Sequence, residues 1–557
     1  MSQAPFIVLL CFIASELYFA LSLTRGISFG GANPLERFYG ITDPTSSEIY
    51  ATDFHAFATT WLLIPLFFLS LKIRNNPTKT SKLLQYVAMV AMLMNGLVVG
   101  MGRISNGGKI TDAEFPLCLL NPLIMTIIAL VTASRFVSPQ TDINPHRTLT
   151  TNARVAVATN SVIHVIFFLI LQLGDRKAWH QVDGPIVDRT SGYAWTSAFV
   201  LLPSFIATFV LKHCSDSDAK VFAKSQVLVL VLCELFNHTT KASENGPKLG
   251  SRIGSSVVHV LQSLILLWGA FSHSRPVPVT RPLLKAGRSV SNGASGVGVA
   301  LFILVQSFWA LKLMIDGGAS TSPSPLSGPS VFQGRLQGLS ILWSLIPLTA
   351  LAATGSRIAI LSRIVFPSTV AAMGTLVSIG KVSNGGLVED TAFGATLVLQ
   401  LIILALVISG TSPPSSKAQQ PKAQNLPLLL VLASASWYYF QALFTPNLGP
   451  SASPVALGAL NWLALNNLNV VILILSVLKK GSDAEATVVG KALVAVIIIT
   501  QLFNQIVAAP FFPLGRRIEF GVVHAVMSTA ILRGCMGDKL KANRRDTGFE
   551  TLMSKID

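Results

Sequence analysis

The sequence predicts an all-α, polytopic integral membrane protein with about 16 transmembrane helices (14–16), built by tandem duplication of an eight-helix half. Three observations predict it. Mean hydropathy is +0.59, with 51% hydrophobic and only 12% charged residues, whereas a soluble domain carries about 25% charge. Apolar runs near the ~20 residues that cross a bilayer recur along the whole chain. The stretch GRISNGGKITDAEF (Gly102–Phe115) returns as GKVSNGGLVEDTAF (Gly380–Phe393), 278 residues later.

In chain order the apolar runs fall at 6–23, 56–72, 83–101, 116–134, 155–173, 193–211, 221–238 and 253–271 in the first half. In the second half they fall at 295–315, 338–354, 358–379, 393–409, 427–445, 456–478, 488–508 and 518–533. The first run, PFIVLLCFIASELYFALS, has no basic residue ahead of it, contains Glu16 and has a counterpart at 301–318. It is therefore read as a retained helix, not a cleaved signal.

Lys and Arg concentrate in the loops after even-numbered helices, as at Lys79 and Lys82, Arg281 and Lys285, and Lys479 and Lys480, and in the basic tail at 541–557. By the positive-inside rule these loops and both termini are expected in the cytosol. The net charge of +17 is thus a topology signal, and no nucleic-acid partner is implied. Cys11, Cys118 and Cys233 fall in helices, while Cys214 and Cys535 fall on the cytosolic side, so no outward disulfide framework is expected. Cys535 is a juxtamembrane thiol open to acylation, or an inert one.

The repeat extends well beyond the SNGG loop. FNHTTKASENGPKLGSRIGSSVVHVLQSLIL from Phe236 matches FNQIVAAPFFPLGRRIEFGVVHAVMSTAIL from Phe503 in Phe-Asn, Leu-Gly, Arg-Ile and Val-Val-His. Pro65 aligns with Pro347, and the segment around Glu16 with that around Gln306. Each half divides into two four-helix units of the same rhythm: 1–140 and 150–275, then 290–412 and 425–540 as their repeats. An even number of helices per unit makes successive units parallel. Joints at 138–152, 273–292 and 411–425 are rich in Pro, Ser, Thr and basic residues. The SNGG segment becomes the outward turn between third and fourth helices, where Gly-Gly permits a tight reversal.

In length, helix number and the basic residue followed by a Ser/Gly loop after its third helix, each quarter resembles the small bacterial four-helix membrane proteins of the DoxX-like kind. The resemblance covers about 120 residues at a time. It implies a four-helix bundle and carries no activity across.

An ionisable group inside a membrane helix costs several kcal/mol unless paired or wet, so each one points to function or to interhelical bonding. Glu16 lies in the first helix. Glu234 is one turn before Asn237 and His238 and shares their face. Asp53 and His55 stand at the entrance to helix two, Arg103 opens the SNGG loop, and His259 follows Arg252 in helix eight. Aligning the halves sets Glu16 against Gln306, Glu234 against Gln501, Asp53 against Arg335 and His55 against Gln337. Arg103/Lys381, Asn237/Asn504, Arg252/Arg517 and His259/His524 are shared. A carboxyl and its amide have nearly one shape, yet only the acid exchanges a proton. The first half alone therefore holds the acid/base inventory at these positions.

No zinc-ligand spacing, nucleotide loop or dinucleotide glycine fingerprint occurs, so neither a metal nor another cofactor is expected. Two lone histidines, His164 and His259, do not make a haem site. The expected function is a membrane enzyme acting on a hydrophobic small molecule, a terpenoid or lipid-like intermediate, by non-redox cyclisation or isomerisation. Glu16 or Glu234 would donate the proton, Asp53 and His55 would feed it, and Arg103, Asn237, His238, Arg252 and His259 would bind substrate. A multi-pass transporter or channel is the alternative, and an accessory membrane subunit without chemistry the third reading. The expected surroundings are the lipid bilayer, with pathway enzymes in the same membrane, in the endoplasmic reticulum or another endomembrane, or else the plasma membrane.

Overall fold

The computed structural model describes residues 3–23, 46–105, 120, 122–128, 152–173, 199–239, 249–272, 283–317, 328–354, 356, 358–383, 391–409, 424–443 and 454–546. Among the described residues there is helix and no strand, and each of the sixteen apolar runs contains helix. The first half supplies α1 (Ala4–Leu23), α2 (Ser46–Ile73), α3 (Pro77–Ser105), α4 (Asn152–Leu173), α5 (Leu202–His213), α6 (Asp216–Thr239) and α7 (Leu249–Phe271). The second supplies α8 (Leu283–Asp316), α9 (Gly328–Ala353), α10 (Ile358–Ser383), α11 (Thr391–Ser409), α12 (Asn425–Leu443), α13 (Pro454–Lys480), α14 (Asp483–Ile506) and α15 (Leu514–Asp546). Of the fourth run, residues 122–128 are described, and they are helical.

Eleven of these helices are long and apolar enough to cross a bilayer, which makes the chain a polytopic membrane protein. The expected sixteen is not reached on that measure. Helix α5 has 12 residues among those described, and α6 carries Asp216, Asp218, Lys220, Lys224 and Glu234, which lower its hydropathy.

Helix ends follow local chemistry. Asn76 caps α3, its side chain accepting from the Lys79 amide at 2.9 Å, with Pro77 at the first helical position where no amide partner is lost. At α6, Ser215 and Asp218 form a reciprocal cap: the Ser215 amide donates to Asp218 at 2.9 Å and the Asp218 amide to Ser215 Oγ at 3.3 Å. Ser482 and Glu485 repeat this box at α14. Arg154 of α4 donates to the carbonyls of Leu211 and Cys214, both at 2.7 Å, and so satisfies the end of α5.

Three boundaries differ from expectation. Helix α2 begins at Ser46, so Asp53 and His55 lie two turns inside a helix and not at its entrance. Helix α8 starts at Leu283, within the expected joint 273–292, because no proline follows Pro282 to prevent helix there. Helix α15 runs through Asp546, into the expected tail. The SNGG turns (106–108 and 384–386) lie outside the described residues.

Two compact units result. One comprises Met1–Leu283 with Val370–Gln400 and Pro446–Pro454; the other comprises Leu284–Thr369, Leu401–Thr445 and Val455–Asp557. In the first, α1 packs on α2 and α3, α2 on α6, α6 on α7, and α4 on α5 and α7. Helices expected in 1–140 and in 150–275 are thus knitted together. Phe236 of α6 fills the seam with α2, its ring meeting Phe57 at 4.9 Å and Trp61 at 5.4 Å. The seam between α3 and the part of α10 after Val370 is closer still. A Cβ on Gly96 would stand 3.0 Å from the Thr375 amide, and one on Gly374 would meet the Leu93 carbonyl.

In the second unit α9 packs on α14, α14 on α15, and α12 on α15. The spacing Gly334-x-x-x-Gly338 lets α9 approach α8, and a Cβ on Gly338 would sit 2.8 Å from the Met314 amide. Gly317, at φ +64°, ends α8 with its amide bonded to the Leu313 carbonyl at 2.9 Å. Helices α7, α8 and α15 show the least burial of the eleven spans, and α7 and α15 present Ile253, Val257, Leu261, Ile518, Val522 and Val526 outward. Such aliphatic faces belong against lipid.

Candidate functional site

The first unit gathers one cluster of titratable side chains on the seam of α6 and α7. Glu234 and His238 are four residues apart on α6, and Arg252, Ser256 and His259 lie on successive turns of one face of α7. Packing turns these faces toward each other. His259 Nδ1 is bonded to Glu234 Oε1, and Ser256 Oγ donates to Glu234 Oε2. His238 Nε2 stands 2.9 Å from Ser256 Oγ and 3.3 Å from Glu234 Oε2.

With Glu234 ionised it can only accept, so His259 donates through Nδ1 and its Nε2 is left as the acceptor. Ser256, with one proton and two acceptor sites, links the carboxylate to His238 and can pass a proton between them. The arrangement is a carboxylate between two imidazoles with a hydroxyl relay. It is half-open: the Glu234 side chain is 24% exposed and that of His238 44%. Val231, Leu235, Val257 and Val258 border it with exposed aliphatic surface.

Behind the cluster α4 adds a buried polar layer. Gln262, one turn beyond His259, donates to Asn160 Oδ1 at 3.1 Å, and His164 Nδ1 lies 2.9 Å from the Asn160 carbonyl. Of the expected binders, Arg252 points its Nε into the protein with no acceptor for it. Asn237 is half-buried on α6. Arg103 belongs to α3, and its side chain lies outside the described residues.

Glu16, Asp53 and His55 are elsewhere. Glu16 is 5% exposed on α1, and Phe19, one turn further, meets the His55 ring of α2 at 5.9 Å. Phe236 faces α2 while Glu234, two residues earlier and about 200° round the helix, faces α7. Glu16 and Glu234 therefore occupy different helix seams. Asp53 and His55, also two apart, point to different sides of α2.

Ser256 was not among the residues that the sequence pointed to. A signal existed, since Ser256 is three residues before His259 and four after Arg252, a same-face spacing.

The second unit holds a matching but neutral arrangement. Gln501 of α14 is bonded to His524 of α15 and donates to the Phe520 carbonyl at 3.3 Å. Aligned from Phe236 and Phe503, the sequence sets Gly521 against Ser256 and Gln505 against His238. The imidazole is common to both arrangements, while the carboxylate, hydroxyl and second imidazole occur in the first alone.

Among the described residues no group of three or more His, Cys, Asp or Glu side chains is arranged to hold a metal ion. In comparisons with known proteins, no family model, no curated protein and no solved structure matches this chain.

Proposed function

We propose that this chain is an integral membrane enzyme that moves a proton on a lipophilic small molecule, terpenoid or lipid-like, in a non-redox cyclisation or isomerisation. The observation that carries the reading is the Glu234–Ser256–His238–His259 cluster, bonded throughout and bordered by lipid-facing aliphatic side chains. A substrate dissolved in the bilayer would reach it sideways, without crossing water. Glu234 gives and takes the proton, Ser256 and His238 connect it to the membrane surface, and His259 fixes the carboxylate. Arg252, one turn from Ser256, anchors a polar end of the substrate, with Arg103 a second candidate. Glu16 is a separate buried acid, and Asp53 and His55 belong to its seam.

The reading extends to architecture. The chain is a tandem duplication, with the capping boxes at Ser215 and Ser482 and the bonded pairs Glu234–His259 and Gln501–His524 as its repeated parts. One copy keeps the acid and the other serves as scaffold. Both termini face the cytosol, in an endomembrane.

Deletion of the gene should cause a lipophilic precursor to accumulate, and the wild-type chain should clear it. Glu234→Gln should not, although it reproduces the side chain of the second copy and should fold. Clearance by Glu234→Gln at the wild-type rate would refute the reading. A proton-coupled transporter is the second reading, favoured by the buried layer of Asn160, His164 and Gln262 behind the exchangeable cluster. It requires substrate uptake into sealed vesicles driven by a pH gradient and abolished by the same substitution.

A further inference from the structure

Helices α6 and α7 run antiparallel, so the start of α6 lies beside the end of α7, at the far end of their seam from Glu234. Lys220 and Lys224, one turn apart on α6, both reach that end. Lys220 Nζ donates to the Ser272 carbonyl at 3.1 Å, and Lys224 Nζ stands over the Phe271 ring, 4.7 Å from its centroid. These contacts fall on consecutive residues, which places the two ammonium groups at one spot.

The acids nearby are already taken. Asp216 and Asp218, in the first turn of α6, are held by Arg154 at 3.5 Å and Lys79 at 3.2 Å. Among the described residues no carboxylate meets Lys220 or Lys224. Lys224 is exposed and Lys220 half-buried, so both can be reached from outside the protein. An ammonium group has three donors, and one carbonyl and one ring leave most of the six unused.

The surface around them is aromatic and aliphatic. Phe271 ends the membrane-crossing stretch Arg252–Phe271, the depth at which aromatic belts meet lipid headgroups. Leu264, Trp268 and Phe271 share one stripe of α7 and are 58%, 51% and 64% exposed. On α6, Leu228 and Val231 continue the stripe from Lys224 and are exposed as well.

We propose that Lys220 and Lys224 bind the phosphate of an anionic phospholipid, whose acyl chain lies along Leu228, Val231, Leu264 and Trp268. The charge of the phosphate answers two ammonium groups that have no acid, and the chain covers the stripe that leads away from them. This end of the seam is the one expected in the cytosol, and the cytosolic leaflet supplies anionic lipid. Lys312 of α8 marks the contrast. It covers Phe308 and Trp309 of its own helix at 5.8 and 5.7 Å, but one turn further the chain has Asp316 and not a second lysine. Binding here is independent of the chemistry proposed at Glu234, ten residues or about 15 Å along α6.

The test uses the full-length chain, purified in a neutral detergent and read by native mass spectrometry and thermal midpoint. Dioleoyl phosphatidylglycerol, dioleoyl phosphatidylcholine and inorganic phosphate are the probes. Phosphatidylglycerol should bind, raise the midpoint and outcompete phosphatidylcholine. Lys224→Gln, at an exposed position, should weaken it about fivefold, and Lys220→Gln/Lys224→Gln about 25-fold. Lys220→Arg/Lys224→Arg should retain binding, and Lys312→Gln should leave it unchanged. Undiminished phosphatidylglycerol binding by folded Lys224→Gln, equal weakening by Lys312→Gln, or equal binding of phosphatidylcholine would overturn the proposal. So would equal stabilisation by inorganic phosphate, which would assign the lysines to a soluble anion.

Discussion

Glu234 shows how much a single atom can decide. Its counterpart Gln501 holds His524 much as Glu234 holds His259, so the fold accepts either side chain. Glu234→Gln should therefore leave the thermal midpoint nearly unchanged while lowering turnover by about 10²–10⁴, the usual range for loss of a general acid or base. Ser256→Ala should lower turnover too, since His238 would lose its link to the carboxylate, and Ser256→Thr should restore part of it. Asp218, at the start of α6, makes a pH prediction. Burial alone would raise its pKa, but hydrogen bonds from Ser215 and the Lys79 ammonium at 3.2 Å outweigh that and hold it below the usual carboxylate range. A carboxyl whose folded pKa lies below its unfolded value of about 3.9 stabilises the fold above that pH and loses the effect as pH falls through the folded value. Asp218→Asn should therefore be less heat-stable than wild type at pH ~5–7, with the gap closing below pH ~4. A gap that widens in acid would contradict this.

At the scale of elements, caps and close approaches govern how the helices meet. Ser215 and Ser482 begin α6 and α14 in the same way, and replacing either by Ala should cost about 1 kcal/mol. Chemical denaturation in detergent would measure both losses, and the two should be similar because the boxes are. Gly338 is more demanding, since backbone atoms of α8 occupy the space a side chain would need. Gly338→Ile should cost more than about 3 kcal/mol or prevent assembly, whereas exposed Gly254, with nothing near its Cβ position, should accept Ala freely. A Gly338→Ile chain as stable as wild type would show that α8 can move aside. The Gly-x-x-x-Gly spacing was present in the sequence, but spacing alone does not say which helix comes close.

For the whole molecule, the charge pattern predicts which ends share a side of the membrane. Single cysteines at Lys79 and at Pro513, introduced into a chain freed of its native cysteines, should label from opposite sides with a membrane-impermeant maleimide. Lys79 should react from the cytosolic side. Labelling of both from one side would refute the expected topology. The same neighbour relations, α2 on α6 with α6 on α7, and α9 on α14 with α14 on α15, occur in corresponding helices. At the α6–α7 seam the first unit bonds Glu234 to His259, whereas between α14 and α15 the second bonds Gln501 to His524.

Hydropathy is additive along the chain, so the sequence by itself determined the membrane class and the helical runs, neither of which needs a long-range contact. Charged positions were equally legible, because an ion in an apolar run stands out wherever it points. Which of them meet was decided by tertiary structure alone. Helix rotation sets Glu234 against Ser256 and His259 while turning it away from the seam that holds Glu16, and rotation depends on Phe236 wedging between α2 and α6. Ser256 stayed hidden for the same reason: a serine in a helix is ordinary until packing brings a carboxylate to its hydroxyl.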